Sequence, residues 1–249
     1  MKKKNVIIIA LCVVVVALII VVAFLIGKNS SKDEATVAPT LAPTAATQAV
    51  TEAPDNSGDV KKDDIKVVKE YTYLEDDDYK MVLVLENTGK GNAAVAVVGK
   101  VSDGANNVIG TERESVFLDP GAQSVVDLDF DTEGVKVMNK DYSISVAKAT
   151  TIVPGISKIT SSNKVNGNIV TVTSKNTGDT DLEGVEACVL FFDGNDLVDI
   201  ESEDVNNTGT EIFGKGTTQT QQFNTHEKFN KVKVYYTQTQ DTHDDEDDD

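Results

Sequence analysis

The chain has 249 residues, a formal net charge of −18 at pH 7 and only two cysteines. A negative potential of this size repels phosphate groups, so nucleic acid is excluded as a partner. Cys12 lies in an apolar N-terminal run and Cys188 in a segment with strand periodicity, so the two are not expected to pair. A protein without a disulfide framework depends on its apolar core for stability.

The first predicted element is a membrane-spanning helix in residues 1–27. Three lysines open the chain, and an uninterrupted apolar run follows from Val6 to Gly27. A helix of that length spans roughly 33 Å, enough to cross the hydrocarbon core. The run is too long for a typical cleavable signal peptide, and the lysines favour a cytoplasmic N-terminus. We predict an uncleaved signal-anchor that contacts the lipid bilayer through residues 6–27, with the remaining chain outside.

Residues 28–60 are predicted to be a disordered stalk. This segment is rich in threonine, alanine and proline and has no apolar periodicity. Such a composition cannot bury enough surface to fold, and its prolines favour extended conformations. A stalk of this kind, before an ectodomain without disulfides, is typical of a Gram-positive bacterial surface protein.

After the stalk, apolar and polar residues alternate with the period of a β-strand, and no segment has the apolar stripe of a helix. Leu128 and Phe130, for example, alternate with Asp127, Asp129 and Asp131. We therefore predict an all-β ectodomain.

An internal repeat divides that ectodomain. ENTGKG at 86–91 is matched by KNTGDT at 175–180, and an Asp-Gly pair follows each at a similar distance. Two copies with roughly seven short strands each suit two tandem immunoglobulin-like antiparallel β-sandwiches. The predicted repeats are 61–151 and 152–240, joined near Pro154, with a disordered acidic tail at 241–249.

The segment FFDGNDLVD, at 191–199, raises the question of a calcium site. An EF-type loop needs Gly at its sixth position and Glu at its twelfth, with flanking helices. Counted from Asp193, these positions hold Val198 and Asp204, and strands flank the segment. The segment is therefore predicted to be a hairpin turn, in which Gly accommodates a positive φ.

These residues also carry a family resemblance. The segment VLFFDGNDLV after a KNTG turn resembles the FxLYD-type domain of bacterial surface proteins, and VIGTERESVFLDPG in the first copy resembles the later part of that pattern. The motif corresponds to Val189, Phe191, Phe192 and Asp193. The resemblance implies a β-sandwich of unassigned molecular function, with no catalytic residues to carry over.

The remaining candidate functional sites have weak support in the sequence. GTEIFGKG, at 209–216, lacks the final Ser or Thr of a phosphate-binding P-loop and is predicted to be a turn between strands. His226 is predicted to lie in a loop, and Cys188 to be a small buried residue. Tyr71, Tyr73, Tyr235 and Tyr236 are expected to pack at the core or its rim, with a modest carbohydrate-binding platform as the alternative. The acidic clusters are interpreted as solvated surfaces, with weak divalent-cation binding as the alternative.

No catalytic, cofactor-binding or metal-ligating residue is assigned. We predict a non-catalytic, membrane-anchored extracytoplasmic binding or structural module, with a cell-envelope or cell-wall partner. The alternatives are an accessory or sensor subunit that acts through its transmembrane helix, and a weak divalent-cation-binding surface protein.

Overall fold

The computed structural model describes residues 59–75, 78–206 and 212–240, all within the compact unit Glu52–Asp249. The predicted membrane helix, nearly all of the predicted stalk and the acidic tail lie outside the described residues. Within the three described ranges, no helix has the length and apolar character that a membrane crossing requires.

The first repeat consists of two three-stranded antiparallel sheets. One has the strand order β1-β2-β5 and the other has the order β4-β3-β6. The strands are β1 (Ile65–Glu75), β2 (Asp78–Asn87), β3 (Ala93–Ser102), β4 (Val108–Leu118), β5 (Gln123–Phe130) and β6 (Asn139–Lys148).

The second repeat has the same plan with one small addition. Its two three-stranded antiparallel sheets have the orders β13-β8-β7 and β11-β10-β14, and a two-residue pair joins β9 to β12. The strands are β7 (Ile159–Asn166), β8 (Ile169–Asn176), β9 (Leu182–Glu183), β10 (Val185–Asp193), β11 (Asp196–Asp204), β12 (Ile212–Phe213), β13 (Thr218–Asn224) and β14 (Lys231–Gln238).

The prediction of an all-β, antiparallel, sandwich-like fold is thus confirmed. The strand count differs: six strands stand among the described residues of the first repeat, where about seven short ones were expected. Each of these strands is eight residues or longer, because the alternation of apolar and polar residues continues through positions at which shorter strands would have required turns.

Alternating side chains fill the space between the two sheets of each repeat. In the first repeat Met81, Leu83 and Leu85 on β2 lie in the same core cluster as Val95 and Val97 on β3 of the other sheet. In the second, Val170 and Val172 on β8 lie in the same core cluster as Val189 and Phe191 on β10. This is the period-two pattern of a sandwich interior.

The repeated Asn-Thr-Gly motif forms a buried corner in each repeat. The Asn87 side-chain nitrogen donates to the carbonyls of Gly91 (2.9 Å) and Leu118 (3.0 Å), while its oxygen accepts from Gly89 N (2.9 Å). Asn176 makes the equivalent bonds to Thr180 (2.9 Å), Phe213 (3.0 Å) and Gly178 (2.9 Å). The motif therefore has a structural role: its asparagine fixes the end of β2 or β8 to the neighbouring loops by hydrogen bonds.

The two repeats pack face to face. Val82, Val84 and Val125 on the outer face of the β1-β2-β5 sheet contact an apolar face of the β11-β10-β14 sheet. That second face includes Cys188, Leu190, Phe192 and Leu197. Four sheets are thus stacked in the order β4-β3-β6, β1-β2-β5, β11-β10-β14, β13-β8-β7, and the two in the middle are covered on both faces.

The faces that meet are not equivalent in the two repeats. At an offset of 89, Val82 and Val84 correspond to Thr171 and Thr173 of the second repeat. At an offset of 90, Leu190 and Phe192 correspond to Lys100 and Ser102 of the first. The contact is therefore made by apolar residues that each repeat has on one outer face only.

The connection between the repeats is buried and hydrogen-bonded. Pro154, Gly155 and Ile156 are all buried. Gly155 N donates to the Gln238 side chain (3.1 Å), and Ser157 N donates to Asp119 of the first repeat (3.1 Å). A Cβ at Gly155 would lie 2.5 Å from a methyl carbon of Leu182, so any other residue here would require that side chain to move. The connection is not a free hinge.

Candidate functional site

A cleft of about 1010 Å³ lies where the two repeats meet. One wall is formed by small side chains of the β4-β3-β6 sheet, including Ala94, Ala96 and Ser145. Cys188 and Thr237 from the second repeat also line the cleft. Its volume is at the upper end of the range for ligand pockets, and mixed apolar and polar walls are usual in such sites.

Asp127 borders the cleft from β5, with its Oδ1 atom buried and without a hydrogen-bond partner. Burial raises the pKa of this carboxyl to about 6, while Lys80 lowers it and Asp129 and Glu75 raise it further. The prediction of a solvated strand face is therefore wrong at Asp127, because the second repeat covers that part of β5. Asp129 and Asp131, by contrast, are exposed as expected.

A second buried polar atom belongs to Tyr73. Its hydroxyl makes no hydrogen bond in the structure, and its pKa is raised by burial and then by Asp127, Glu75 and Asp199. Asp199 is on β11 of the second repeat, and burial raises its pKa too. Carboxylates of the two repeats thus face each other at the edge of the interface.

Lys80 provides a positive charge beside the carboxylates of Glu75, Asp127 and Asp129. It forms ion pairs with Glu75 (3.1 Å) and with Asp129. Burial alone would lower the pKa of Lys80, but the hydrogen bonds to Asp129 and Glu75 raise it on balance. The lysine therefore stays charged and is engaged with two carboxylates other than Asp127.

The thiol of Cys188 is buried and un-ionised. Burial raises its pKa to about 11, against the opposing effect of hydrogen bonds with Ser202 and Thr237, each 3.1 Å from the sulfur. A nucleophilic cysteine needs a lowered pKa and access to solvent. The prediction of a small buried residue is confirmed.

The Asp-Gly segments are turns, as predicted. Asp193 pairs with Asp196 across Gly194, whose φ is +67°, and the Asp193 carboxylate accepts a hydrogen bond from Asn230 (2.7 Å). In the first repeat the Asp103 carboxylate accepts from Ala105 N and Asn107 N, both at 2.8 Å. The Asp103 carboxylate therefore closes its own loop, while the Asp193 carboxylate joins its hairpin to the loop before β14. Across the described ranges, no group of three or more His, Cys, Asp or Glu residues is arranged to hold a metal ion.

The remaining sequence candidates stay apart from the cleft. His226 is exposed in the loop before β14, as predicted. Only residues 212–216 of the Gly-rich segment are described; they form the short strand β12 and a turn before β13, in agreement with a turn between strands. The tail carboxylates and His243 lie outside the described residues.

The expected packing of the four tyrosines is confirmed: Tyr236 is buried in the core, and the other three pack at the interface between the repeats. Tyr71, Tyr73 and Tyr235 lie against the cluster of Val82 and Leu190. Sequence reasoning missed the interface itself, although continuous apolar runs, VLVL at 82–85 and CVLFF at 188–192, are typical of strands buried on both faces.

Comparison with known proteins gives no family. No family model matches the chain, and no curated protein matches it. Among solved structures, the crystal structure of red sea bream transglutaminase matches with 10% sequence identity and a TM-score of 0.22. The match covers 64% of this chain and 27% of that one, so the chain spans about a quarter of the fish protein. A likeness this weak carries no argument about fold or activity, and the resemblance to FxLYD-type domains stays a prediction.

Proposed function

We propose that this protein is a rigid, non-catalytic binding or spacer module held outside a cell membrane by residues 6–27. In this proposal the two repeats are tandem immunoglobulin-like, FxLYD-type sandwiches, and residues 28–60 are the stalk that separates them from the bilayer. The partner is a protein or polymer of the cell envelope of a Gram-positive bacterium.

The observation that carries the proposal is the fixed relationship between the repeats. The buried connection at Pro154–Ile156, the bond from Ser157 to Asp119 and the apolar interface around Phe192 all act against hinge motion. A unit of this kind presents its surfaces and its cleft at constant spacing. That property suits a spacer or an adhesive module.

The chemistry of the cleft also favours binding. Asp127, Ser202 and Thr237 line the cleft, and Cys188 is held as a thiol. Such groups can orient a polar ligand through hydrogen bonds, while a nucleophile would require a neighbouring base. The small side chains of the cleft wall leave room for an extended chain.

The test is a pull-down with the tagged full-length chain from detergent-solubilised envelope, with calcium and with chelator. We expect one envelope component to be retained in both conditions and also after residues 6–27 are replaced by an unrelated apolar span. Loss of the component on that replacement would instead support an accessory subunit that acts through its membrane helix. Retention only with calcium would favour the cation-binding alternative, and no retained component would contradict a specific binding role.

A further inference from the structure

The cleft between the repeats has an apolar part and an ionisable part. Its apolar lining includes Ala94, Ala96 and Phe117 of the first repeat and Ile200 of the second, and Asp127 belongs to the same lining. Ala94 lies directly opposite Phe117 in the β3–β4 pairing, so the two side chains share one face of the sheet. A ligand that fills this space therefore needs an apolar portion as well as a polar group.

The carboxylate of Asp127 is the least satisfied polar group of the cleft. Its Oδ1 atom is buried without a hydrogen-bond partner, and the ion pairs of the described residues do not include it. With a pKa of about 6, the group is still largely ionised at neutral pH. Lys80, whose charge acts on Asp127, is already paired with Glu75 and Asp129. Because an ionised carboxylate removed from water is costly without a cation, a ligand can supply the charge that Asp127 lacks.

The other charged groups of the lining strengthen this preference. Glu114 on β4 lines the cleft, and its negative charge raises the pKa of Asp127. Glu186 adds a third carboxylate to the lining. Arg113 is the one arginine of the chain and also lines the cleft, but no ion pair within the described ranges joins it to these carboxylates. The lining thus favours a cation over an anion.

The sequence that follows the cleft has the same sign of charge. Gln240 lines the cleft and is the last described residue, and residues 241–249 after it carry seven carboxylates. These residues are not part of the proposed site, but their charge is attached next to it. A negative potential of this kind attracts cations and repels anions before contact.

We propose that the cleft binds a lysine side chain of an extended protein segment, with the methylene stem against Ala96 and Phe117 and the ammonium paired with Asp127. Such a side chain matches both parts of the lining, because its stem covers apolar surface while its charged head pairs with a carboxylate. This inference rests on the proposed binding role and adds the chemistry of the partner.

The test uses the full-length chain in detergent and fluorescein-labelled tripeptides, with binding followed by fluorescence polarisation. The first peptide has lysine between two alanines. The second has norleucine, which keeps the stem without the ammonium, and the third has diaminopropionate, which keeps the ammonium on a short stem. We expect the lysine peptide to bind at least about tenfold more tightly than the other two, and its binding to weaken with salt.

A competition experiment distinguishes a protein segment from a free amine. Cadaverine, a diamine with the same kind of stem, lacks the peptide backbone for which the small side chains of the cleft leave room. We expect cadaverine to displace the lysine peptide at least about tenfold less effectively than the unlabelled peptide does. Equal competition would assign the cleft to a free diamine instead of a protein segment.

Variants locate the binding. Asp127→Asn should weaken binding of the lysine peptide by about tenfold or more. Asp179→Asn, at an exposed position outside the cleft, removes the same charge and should leave binding unchanged. Ala96→Phe should block the space for the stem. Ser143→Phe, at an exposed position of β6 that does not line the cleft, is its matched control and should bind normally.

The possible failures can be told apart. Equal binding of the lysine and norleucine peptides, binding that survives both Asp127→Asn and Ala96→Phe, or no binding of the lysine peptide would each overturn this inference. An envelope component that is retained in the pull-down while the lysine peptide does not bind would leave the envelope role standing. A bound lysine peptide with no retained envelope component would contradict the envelope role and support the lysine site.

Discussion

Tyr71 of the first repeat packs edge-on against Phe192 of the second, with ring centroids 5.3 Å apart and an interplanar angle of 68°. Lys233 lies beside both rings, its amine 5.9 Å from the Tyr71 centroid and 5.4 Å from that of Phe192, and it donates to the tyrosine hydroxyl at 3.3 Å. Edge-on pairs and lysine-ring contacts add to the apolar burial. This three-residue contact anchors one edge of the interface.

Replacement of Phe192 by alanine should therefore destabilise both repeats together. Phe192 is almost fully buried, so truncation should lower the free energy of unfolding by about 3–4 kcal/mol. Urea unfolding followed by circular dichroism measures this. Leu74→Ala, at an exposed position, is the control and should change stability by less than about 0.5 kcal/mol. A similar loss in both variants would mean that the interface contributes little.

The two Asn-Thr-Gly corners should contribute equally to the stability of the protein. Asn87→Ala and Asn176→Ala each remove three hydrogen bonds and leave buried backbone carbonyls unpaired. We expect each substitution to lower the free energy of unfolding by about 2–3 kcal/mol, as measured by thermal or urea unfolding. Asn163→Ala, at an exposed position on β7, should be nearly neutral. A marked difference between the two corner variants would contradict their structural equivalence.

Stability should fall as pH rises through the pKa of Asp127. Its folded pKa is about 6 against an ordinary value of 3.8, so the folded state favours the protonated carboxyl. The resulting stabilisation is complete below pH of about 4 and is lost above about 6, a change on the order of 3 kcal/mol.

The comparison with Asp127→Asn isolates this effect from other carboxyls with raised pKa values, such as Asp199 and Glu114. Relative to the wild type, the variant should be more stable at pH 7.5 than at pH 4 in urea unfolding. Asp129→Asn, which removes an exposed partner of Lys80, should not reproduce that pH dependence. A pH-independent difference between wild type and Asp127→Asn would show that this carboxyl titrates normally.

Glu133→Gly should stabilise the protein. Glu133 has a φ of 50°, which is unfavourable for a residue with a Cβ, and glycine relieves that cost. We expect a gain of about 0.5–1 kcal/mol in urea unfolding, after the added flexibility of glycine in the unfolded chain. Glu133→Ala keeps the Cβ and should bring no such gain. If both variants behave alike, the backbone strain is not significant.

The local features of this fold could be predicted from sequence, and the packing between repeats could not. The alternation around Leu128 and the Asp-Gly pair at 193–194 are local signals, and the structure confirms the strands and the hairpin. Whether Asp127 faces water depends on residues of the second repeat such as Cys188, about 60 positions away on β10. Alternation on one strand carries no information about such a neighbour.

The apolar runs at 82–85 and 188–192 did contain a usable signal. A strand with one solvated face alternates, and a strand covered on both faces does not. Leu190 and Phe192 break the alternation of β10, and they lie in the interface.

The pairing of unlike faces has a further consequence. A head-to-tail contact does not close on itself, and in principle further copies can be added at both ends to give a fibre. The two end faces lack the apolar residues of that contact: Lys100 and Ser102 stand where the second repeat has Leu190 and Phe192, and Thr171 and Thr173 stand where the first has Val82 and Val84. The polar residues on each end face thus disfavour the addition of a third unit by the contact that joins the two repeats.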